Sequence, residues 1–479
     1  MPALNPRFPS TPTRRGFLKA AGLGALSACT AGWATSSSAR KPNIIFIMAD
    51  DLGYGELGCY GNTFNETPHL DQLARDGVRY TDAYAAAPVC SPTRASLMTG
   101  LYPVRTGITT WLPPSTQTDK HLEPDKYITV NEALAAAGYH TGMIGKWHLD
   151  TEHRANPGGP LKHGWHEVIG TETDYIAMGD YFYPYKKIAT FTDGAADEFL
   201  TDRLFAEANG FIERNRSRPF CLYLSLYAVH DKLDAPAPLV DKYKRKYDAR
   251  YGAGAADRKW PQPENWRKTG KPDNPWLAAM LEAIDTGVGS LRRQLKRLAL
   301  ERDTYLVFFS DNGGAGGVAN NGPLRGAKGS HYEGGIRVPM LIARPGTVPG
   351  GAVRATPTSS IDFYPTFCAW AGTPVPDGVK LDGLDLAPTL RGEDLNRDRL
   401  FWHFASLSGE GGKSAVRMGR YKYHEFKNGT MELYDLQTDL GETTNLLTRL
   451  PDQAERMRRI LRAWRKEAGG SLAPFDGPA

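Results

Sequence analysis

Two runs of strand length decide what kind of fold is open to this chain. Asn43-Ile44-Ile45-Phe46-Ile47-Met48-Ala49 and Tyr305-Leu306-Val307-Phe308-Phe309-Ser310 are apolar almost without interruption. A strand without polar alternation must be covered on both faces, as the strands of a parallel sheet flanked by helices are. Each run stops in polar residues, Asp50-Asp51-Leu52-Gly53 after the first and Asp311-Asn312-Gly313-Gly314 after the second. Neighbouring carboxylates at the end of a buried strand are costly unless something positive neutralises them. Two further strand-like runs, at 141–144 and 221–226, deliver Gly145-Lys146-Trp147-His148-Leu149 and Tyr227-Ala228-Val229-His230. Open α/β sheets bind ligands outside the carboxyl ends of their strands. Asp50, Asp51, Lys146, His148, His230, Asp311 and Asn312 are therefore expected to meet at one rim.

Helical patterns separate these runs. Thr67 can cap a helix ending near Asp76, with Pro68 at its first position and Gly77 closing it. Further helices are expected at 131–137, 197–214, about 275–300 and 362–370, with a short strand at 340–343. From about Arg397 the pattern changes to short alternating strands at 400–404, 414–418, 421–425 and 431–436, closed by a basic helix over 451–467. That pattern predicts a small antiparallel sheet packed with one helix. A chain of 479 residues has room for one large α/β core and this appendage. The expected division is 1–40 as leader and linker, 41–395 as the main domain and 396–479 as a C-terminal α/β subdomain. Residues 151–195 read as an inserted loop. Residues 231–275 form a long polar insertion with an excess of Lys and Arg. Solvated surface is the ordinary reading of that excess, and contact with an anionic polymer the functional one.

A mild net charge of +5, with no compact basic tract and no RNA- or DNA-binding motif, does not suggest a nucleic-acid protein. Cys29, Cys59, Cys90, Cys221 and Cys368 are scattered without paired spacing, so neither a disulfide framework nor a thiolate metal site is expected. Thr13-Arg14-Arg15-Gly16-Phe17-Leu18-Lys19, followed by the short apolar stretch 20–28, resembles a twin-arginine export signal. That stretch is too short to span a bilayer. Leu26-Ser27-Ala28-Cys29 resembles a lipoprotein box in which Cys29 is acylated; the other reading is an ordinary signal cut before Arg40. Both place the protein outside the cytoplasm, periplasmic or at the cell surface.

The stretch Cys90-Ser91-Pro92-Thr93-Arg94-Ala95-Ser96-Leu97-Met98-Thr99-Gly100 puts proline in a first helical turn and Cys90 at the helix N-terminus. Unpaired N–H groups there favour negative charge, so a lowered thiol pKa and attraction of an anionic substrate are expected. Arg94 adds a cationic fork one turn on. The alternative is a buried structural cysteine. Cysteine phosphatase loops place five residues between Cys and Arg, whereas three stand here. Cys-x-Pro-x-Arg with its Ala-Ser-Leu-Met-Thr-Gly continuation resembles the signature of formylglycine-dependent sulfatases, arylsulfatase-like members of the alkaline phosphatase superfamily. Gly145-Lys146-Trp147-His148, the segment 324–339 and Glu432-Leu433-Tyr434-Asp435-Leu436 are similar to that family as well. The resemblance covers nearly all of 41–446.

The resemblance implies a large, mostly parallel central sheet with helices on both faces. It also implies a sulfate ester hydrolase in which Cys90 is oxidised to formylglycine (3-oxoalanine) by a maturation enzyme before folding. One hydroxyl of the hydrated aldehyde attacks sulfur, and the second later expels sulfate. Asp50, Asp51, Asp311 and Asn312 offer only hard oxygen, which suits Ca²⁺ or Mg²⁺. The family usually holds calcium there, with residue 90 completing the set; turn formation is the structural alternative. By the same resemblance Asp311 accepts the attacking hydroxyl's proton, and Arg94 steadies residue 90 and the carboxylates. Lys146 and Lys328 contact sulfate oxygens. His148 is the base of elimination, and His230, assisted by Lys328, protonates the leaving alcohol. Relatives commonly have proline where Lys232 stands, and His331 occupies a variable position. His331, His403 and Arg417 are candidate sugar contacts. The expected substrate is a sulfated sugar or polysaccharide. The rivals are a phosphoester or phosphonate monoester hydrolase of the same superfamily and a non-catalytic protein that binds sulfated glycans.

Overall fold

The strands that precede the acidic pairs lie side by side at the centre of the molecule. The computed structural model describes residues 40–113, 120–150, 159–172, 181–188, 190–257, 271–404 and 412–472. The leader, with Arg14, Arg15 and Cys29, lies outside the described residues. In chain order the first ten strands are β1 (Asn43–Ala49), β2 (Val78–Tyr80), β3 (Ala83–Tyr84), β4 (His140–Gly145), β5 (Glu167–Ile169), β6 (Phe220–Ser225), β7 (Thr304–Ser310), β8 (Met340–Ala343), β9 (Ala352–Arg354) and β10 (Thr358–Ser359). Eight of them form one sheet in the order β5-β4-β6-β1-β7-β8-β2-β9. From β5 to β7 every pairing is parallel, and β8 runs antiparallel between β7 and β2.

The unbroken apolar runs are explained by burial on both faces. Ile45, Ile47 and Ala49 of β1 pack into one core with Leu222, Leu224, Leu306 and Phe308. Ile44, Phe46 and Met48 pack into another with Tyr223, Val307 and Phe309. The first core is closed by the helices Pro68–Asp76, Leu200–Asn215 and Pro275–Arg297, the second by Cys90–Thr99, Val130–Ala136 and Phe363–Ala371. Alternate side chains of each strand thus serve opposite layers, which is why a two-residue polar period is missing.

The C-terminal strands β11 (Leu400–Phe404), β12 (Lys413–Met418), β13 (Tyr421–Phe426) and β14 (Met431–Asp435) form an antiparallel meander. One face buries Phe401, Val416, Tyr423 and Leu433 against Ala454, Met457 and Leu461 of the helix Pro451–Glu467. The other face docks onto the main domain beside the two-stranded sheet of β3 and β10: Leu400, Trp402 and Ala415 cluster with Tyr84 and Ile336, and the Trp402 indole N–H donates to the Ala85 carbonyl at 2.9 Å.

One local expectation is corrected. Thr67 does not cap the helix Pro68–Asp76. Its hydroxyl accepts from the Gly58 N–H, and the open N–H groups of His69 and Leu70 are met by the Asp285 carboxylate at 3.1 and 2.7 Å, from a helix 215 residues away. The polar insertion contains a helix, Ala237–Tyr251, and part of its positive charge is paired with acids inside and outside the insertion. Lys242 pairs with Glu66 and Glu282, Lys246 with Glu66, and Arg250 with Asp273.

Candidate active site

Register brings the strand ends together. Gly145 of β4 pairs with Ser225 of β6, which pairs with Met48 of β1, and Ala49 pairs with Ser310 of β7. Lys146, Asp50 and Asp311 therefore leave the sheet at one level. Gly145 has φ 98°, and a Cβ there would lie 1.9 Å from the Ser225 carbonyl oxygen, so the turn that delivers Lys146 admits only glycine. Asp51 and His148 also adopt left-handed backbone, with φ 59° and 51°. Such conformations cost about 1–3 kcal/mol in residues with a side chain and persist only when the surroundings hold them.

The two acidic pairs interlock. The Asn312 side-chain amide donates to Asp51 Oδ1 at 2.8 Å, and the Asp51 N–H donates to Asp311 Oδ1 at 3.2 Å. Asp50, Asp51, Asp311 and Asn312 are all buried. Three cations answer the three carboxylates. Lys146 Nζ lies 2.5 Å from Asp50 Oδ2, Lys328 Nζ lies 2.7 Å from Asp51 Oδ2, and Arg94 Nη2 lies 2.7 Å from Asp311 Oδ2. Arg94 Nη1 donates to Ser225 Oγ, Tyr223 Oη and the Lys146 carbonyl, so one fully buried guanidinium ties β4, β6 and β7 together. Burial alone would push Asp50 and Asp51 upward. Lys146, His230 and Arg94 around Asp50, and Lys328 and His230 around Asp51, hold both below the usual carboxylate range. Asp311 is pushed up by burial and by Asp50, which Arg94 does not fully offset.

Cys90 begins the helix Cys90–Thr99 and is buried. The lowered thiol pKa expected from a helix N-terminus is overturned. Burial is the largest influence and raises it, and the opposing charges of Lys146 and Lys328 do not reverse the sign. The loop carrying Lys328 is tied to this helix through the Gly329 N–H, which donates to the Pro88 carbonyl at 2.8 Å.

Both histidines sit at the same rim. His148 Nε2 faces the Leu112 carbonyl at 2.9 Å. A carbonyl only accepts, so Nε2 carries the hydrogen and Nδ1 the lone pair. Burial first, then Lys146, holds its pKa well below the usual histidine value. His230 Nδ1 likewise donates to the Asp231 carbonyl at 2.7 Å, and its Nε2 accepts from Lys328 Nζ at 3.0 Å. Burial and Lys328 lower its pKa, while Lys328 is raised far above the usual lysine value by its carboxylate neighbours despite burial.

The three candidate sugar contacts are placed differently. His331 is buried against Phe404, with neither ring nitrogen partnered. His403 Nδ1 meets Ser414 Oγ at 2.9 Å. Arg417 is drawn into the seam between the C-terminal sheet and the β3 segment of the main domain, donating to Tyr84 Oη and the Gly419 carbonyl and pairing with Asp82 at 2.7 Å. Sequence reasoning missed Ser225 and Tyr223, whose signal was polarity inside an apolar run. It also missed Glu172 and Tyr227, which support the His148 turn; Glu172 lies in the insertion and carries no sequence mark.

The site suits a hard divalent cation. Asp50 Oδ1 and Asn312 Oδ1 are buried oxygens with no partner among the described residues, and ligand atoms of Asp50, Asp51 and His230 lie within 4.8 Å of one another. Buried acceptors left open among carboxylates match the oxygen preference of Ca²⁺ and Mg²⁺.

A family model described as "Sulfatase" matches residues 42–373, and one described as "N-sulphoglucosamine sulphohydrolase, C-terminal" matches 327–466. Human "Arylsulfatase A" is 34% identical over 465 residues, covering 85% of this chain and 84% of its own. A "Sulfatase" of Formosa agariphila is 32% identical over 513 residues, with 89% of each chain covered. Among solved structures, "Ps i-CgsB in complex with k-i-k-neocarrahexaose" superposes with a TM-score of 0.75 at 29% identity, covering 91% of this chain and 96% of its own.

Proposed function

Starting from the fact that this chain belongs to the sulfatase family and is a sulfuric ester hydrolase, we propose that it removes sulfate from a sulfated saccharide with a formylglycine made from Cys90 and a bound divalent cation. The observation that carries this reading is the meeting of Asp50-Asp51 and Asp311-Asn312 beside the Cys90 helix, flanked by Lys146 and Lys328.

Formylglycine at position 90, once hydrated, would supply a hydroxyl nucleophile for sulfur and a second hydroxyl for the later release of sulfate. Asp50, Asp51, Asp311 and Asn312 would hold Ca²⁺ or Mg²⁺, which supplies fixed positive charge for sulfate oxygens. Asp311 would take a proton from the attacking hydroxyl, and Arg94 fixes its orientation. Lys146 and Lys328 orient the sulfate and offset charge that develops as the S–O bond breaks. His148 presents its Nδ1 lone pair, kept neutral by burial, and serves as the base of the elimination step. The Lys328–His230 contact holds a proton between two nitrogens 3.0 Å apart, ready for the departing alkoxide.

A structurally similar protein binds k-i-k-neocarrahexaose, and we extend the saccharide class, not that particular sugar, to this chain. His331 and His403 are assigned to the sugar side of the site, with Arg417 acting through Tyr84 and Asp82. Residues 1–40 act as a twin-arginine export leader and take the enzyme to the periplasm or cell surface.

The test is mass spectrometry of the peptide spanning Cys90 from protein made with a maturation enzyme, beside assays of sulfate and phosphate aryl esters. The expected results are conversion of the thiol to the aldehyde and preferential sulfate release. An unmodified thiol in active protein, or a strong preference for phosphate, refutes the reading.

A further inference from the structure

We propose that Glu172 is a positioning residue for the reaction, holding the Lys146-Trp147-His148 turn in its working geometry from outside the set of groups that touch substrate. The proposal rests on the sulfatase reading above and adds a residue to it. The Glu172 carboxylate is buried, and the backbone N–H groups of Trp147 and His148 both point at it. Trp147 N lies 3.1 and 2.9 Å from its two oxygens, and His148 N lies 2.5 Å from Oε1. Successive N–H groups converging where one residue is left-handed form a nest, a concavity that grips an anion. His148, with φ 51°, supplies that left-handed step. Here the anion is part of the protein.

The carboxylate is itself fixed. Tyr227 Oη donates to Glu172 Oε2 at 2.9 Å and lies 3.0 Å from the Gly170 carbonyl. Tyr181 Oη contacts the carbonyls of both Tyr227 and His230, at 2.9 and 2.8 Å. Glu172 and Tyr181 both come from the segment inserted between β4 and β6, so this insertion braces the backbone beneath both histidines. Without the carboxylate, the Trp147 and His148 N–H groups lose the acceptor on which they converge, and the left-handed conformation of residue 148, which costs about 1–3 kcal/mol, loses that grip. The His148 ring would then leave the Leu112 carbonyl that sets its tautomer, and Lys146, two residues earlier, would shift from the sulfate.

The test combines crystal structures with kinetics on an aryl sulfate for Glu172→Ala, Glu172→Gln and Tyr227→Phe. In Glu172→Ala, His148 is expected to leave the left-handed region and lose its contact to Leu112. The kcat should fall about a hundredfold with KM changed less than about threefold, the loss typical of a reacting group displaced by about 1 Å. Glu172→Gln, which keeps one acceptor, should lose about tenfold, and Tyr227→Phe less. The pH profile of kcat should shift on the limb governed by the elimination base. A purely structural role would lower the melting temperature and leave kcat and the pH profile of the folded fraction unchanged, and that result overturns the proposal. His148 retaining its backbone conformation in Glu172→Ala overturns it whatever the activity. If that variant does not fold, Glu172→Gln decides by its kinetics: a kcat lower by about tenfold with the pH profile shifted supports the proposal, and an unchanged kcat and pH profile overturn it. An inactive parent would refute the sulfatase reading, while the crystallographic comparison would still decide the role of Glu172.

Discussion

Glu56 makes stability depend on pH in a direction opposite to that of most carboxylates. It is buried on the loop that follows Asp50-Asp51, where its two oxygens accept from the Asn320 N–H and the Asn65 side chain, both at 2.5 Å. It thereby joins this loop to the segment that leads to Lys328. Burial, with a minor contribution from Asp273, pushes its pKa from 4.5 to about 8. Because the folded form binds the proton more tightly than the unfolded chain, stability is undiminished by this group below about pH 4.5. It declines as pH rises toward about 8 and is level beyond. At about 1.4 kcal/mol per unit, the decline is about 3 kcal/mol by pH 7 and about 5 kcal/mol at most. Glu56→Gln has the shape and neutrality of the protonated acid and does not titrate, while its amide nitrogen replaces one acceptor with donors and so sets a constant offset. Urea unfolding of parent and variant from pH 5 to 8 should show the variant gaining on the parent by several kcal/mol across that window. Parallel profiles would refute the reasoning, whatever the offset between them.

Three further outcomes follow from the geometry. Lys146→Met removes the ammonium 2.5 Å from Asp50 and should lower kcat for sulfate release by about 10²–10³; an unchanged kcat would remove Lys146 from the mechanism. Chelation should stop sulfate release, and Ca²⁺ or Mg²⁺ should restore it; full activity after exhaustive chelation would refute the cation site. Asp285→Ala strips the acceptor from two N–H groups of the helix Pro68–Asp76 and should cost about 1–2 kcal/mol in urea unfolding, with Asp285→Asn costing less.

Much of the site was legible because its chemistry sits at the ends of strands. A buried strand is marked by its own apolar run, and the residue after it is fixed by chain continuity. Asp50, Lys146 and Asp311 could therefore be assigned to one rim before any coordinate was known. The pKa of Cys90 was not legible in the same way. A helix N-terminus is a local property, whereas the burial that raises the thiol comes from packing by the whole domain. Arg417 illustrates the same limit, since its partners Tyr84 and Asp82 come from more than 300 positions earlier.

By itself the sequence determined the parallel sheet, the helices that cover it, the antiparallel C-terminal layer and the identity of the polar groups at the strand ends, because each depends on periodicity or on adjacency along the chain. Tertiary structure alone decided which cation faces which carboxylate, that Asp285 rather than Thr67 caps the helix Pro68–Asp76, and that Glu172 underlies the His148 turn. The physical reason is that hydrogen bonds and ion pairs depend on distances of about 3 Å, and only the folded register brings residues so far apart in sequence that close.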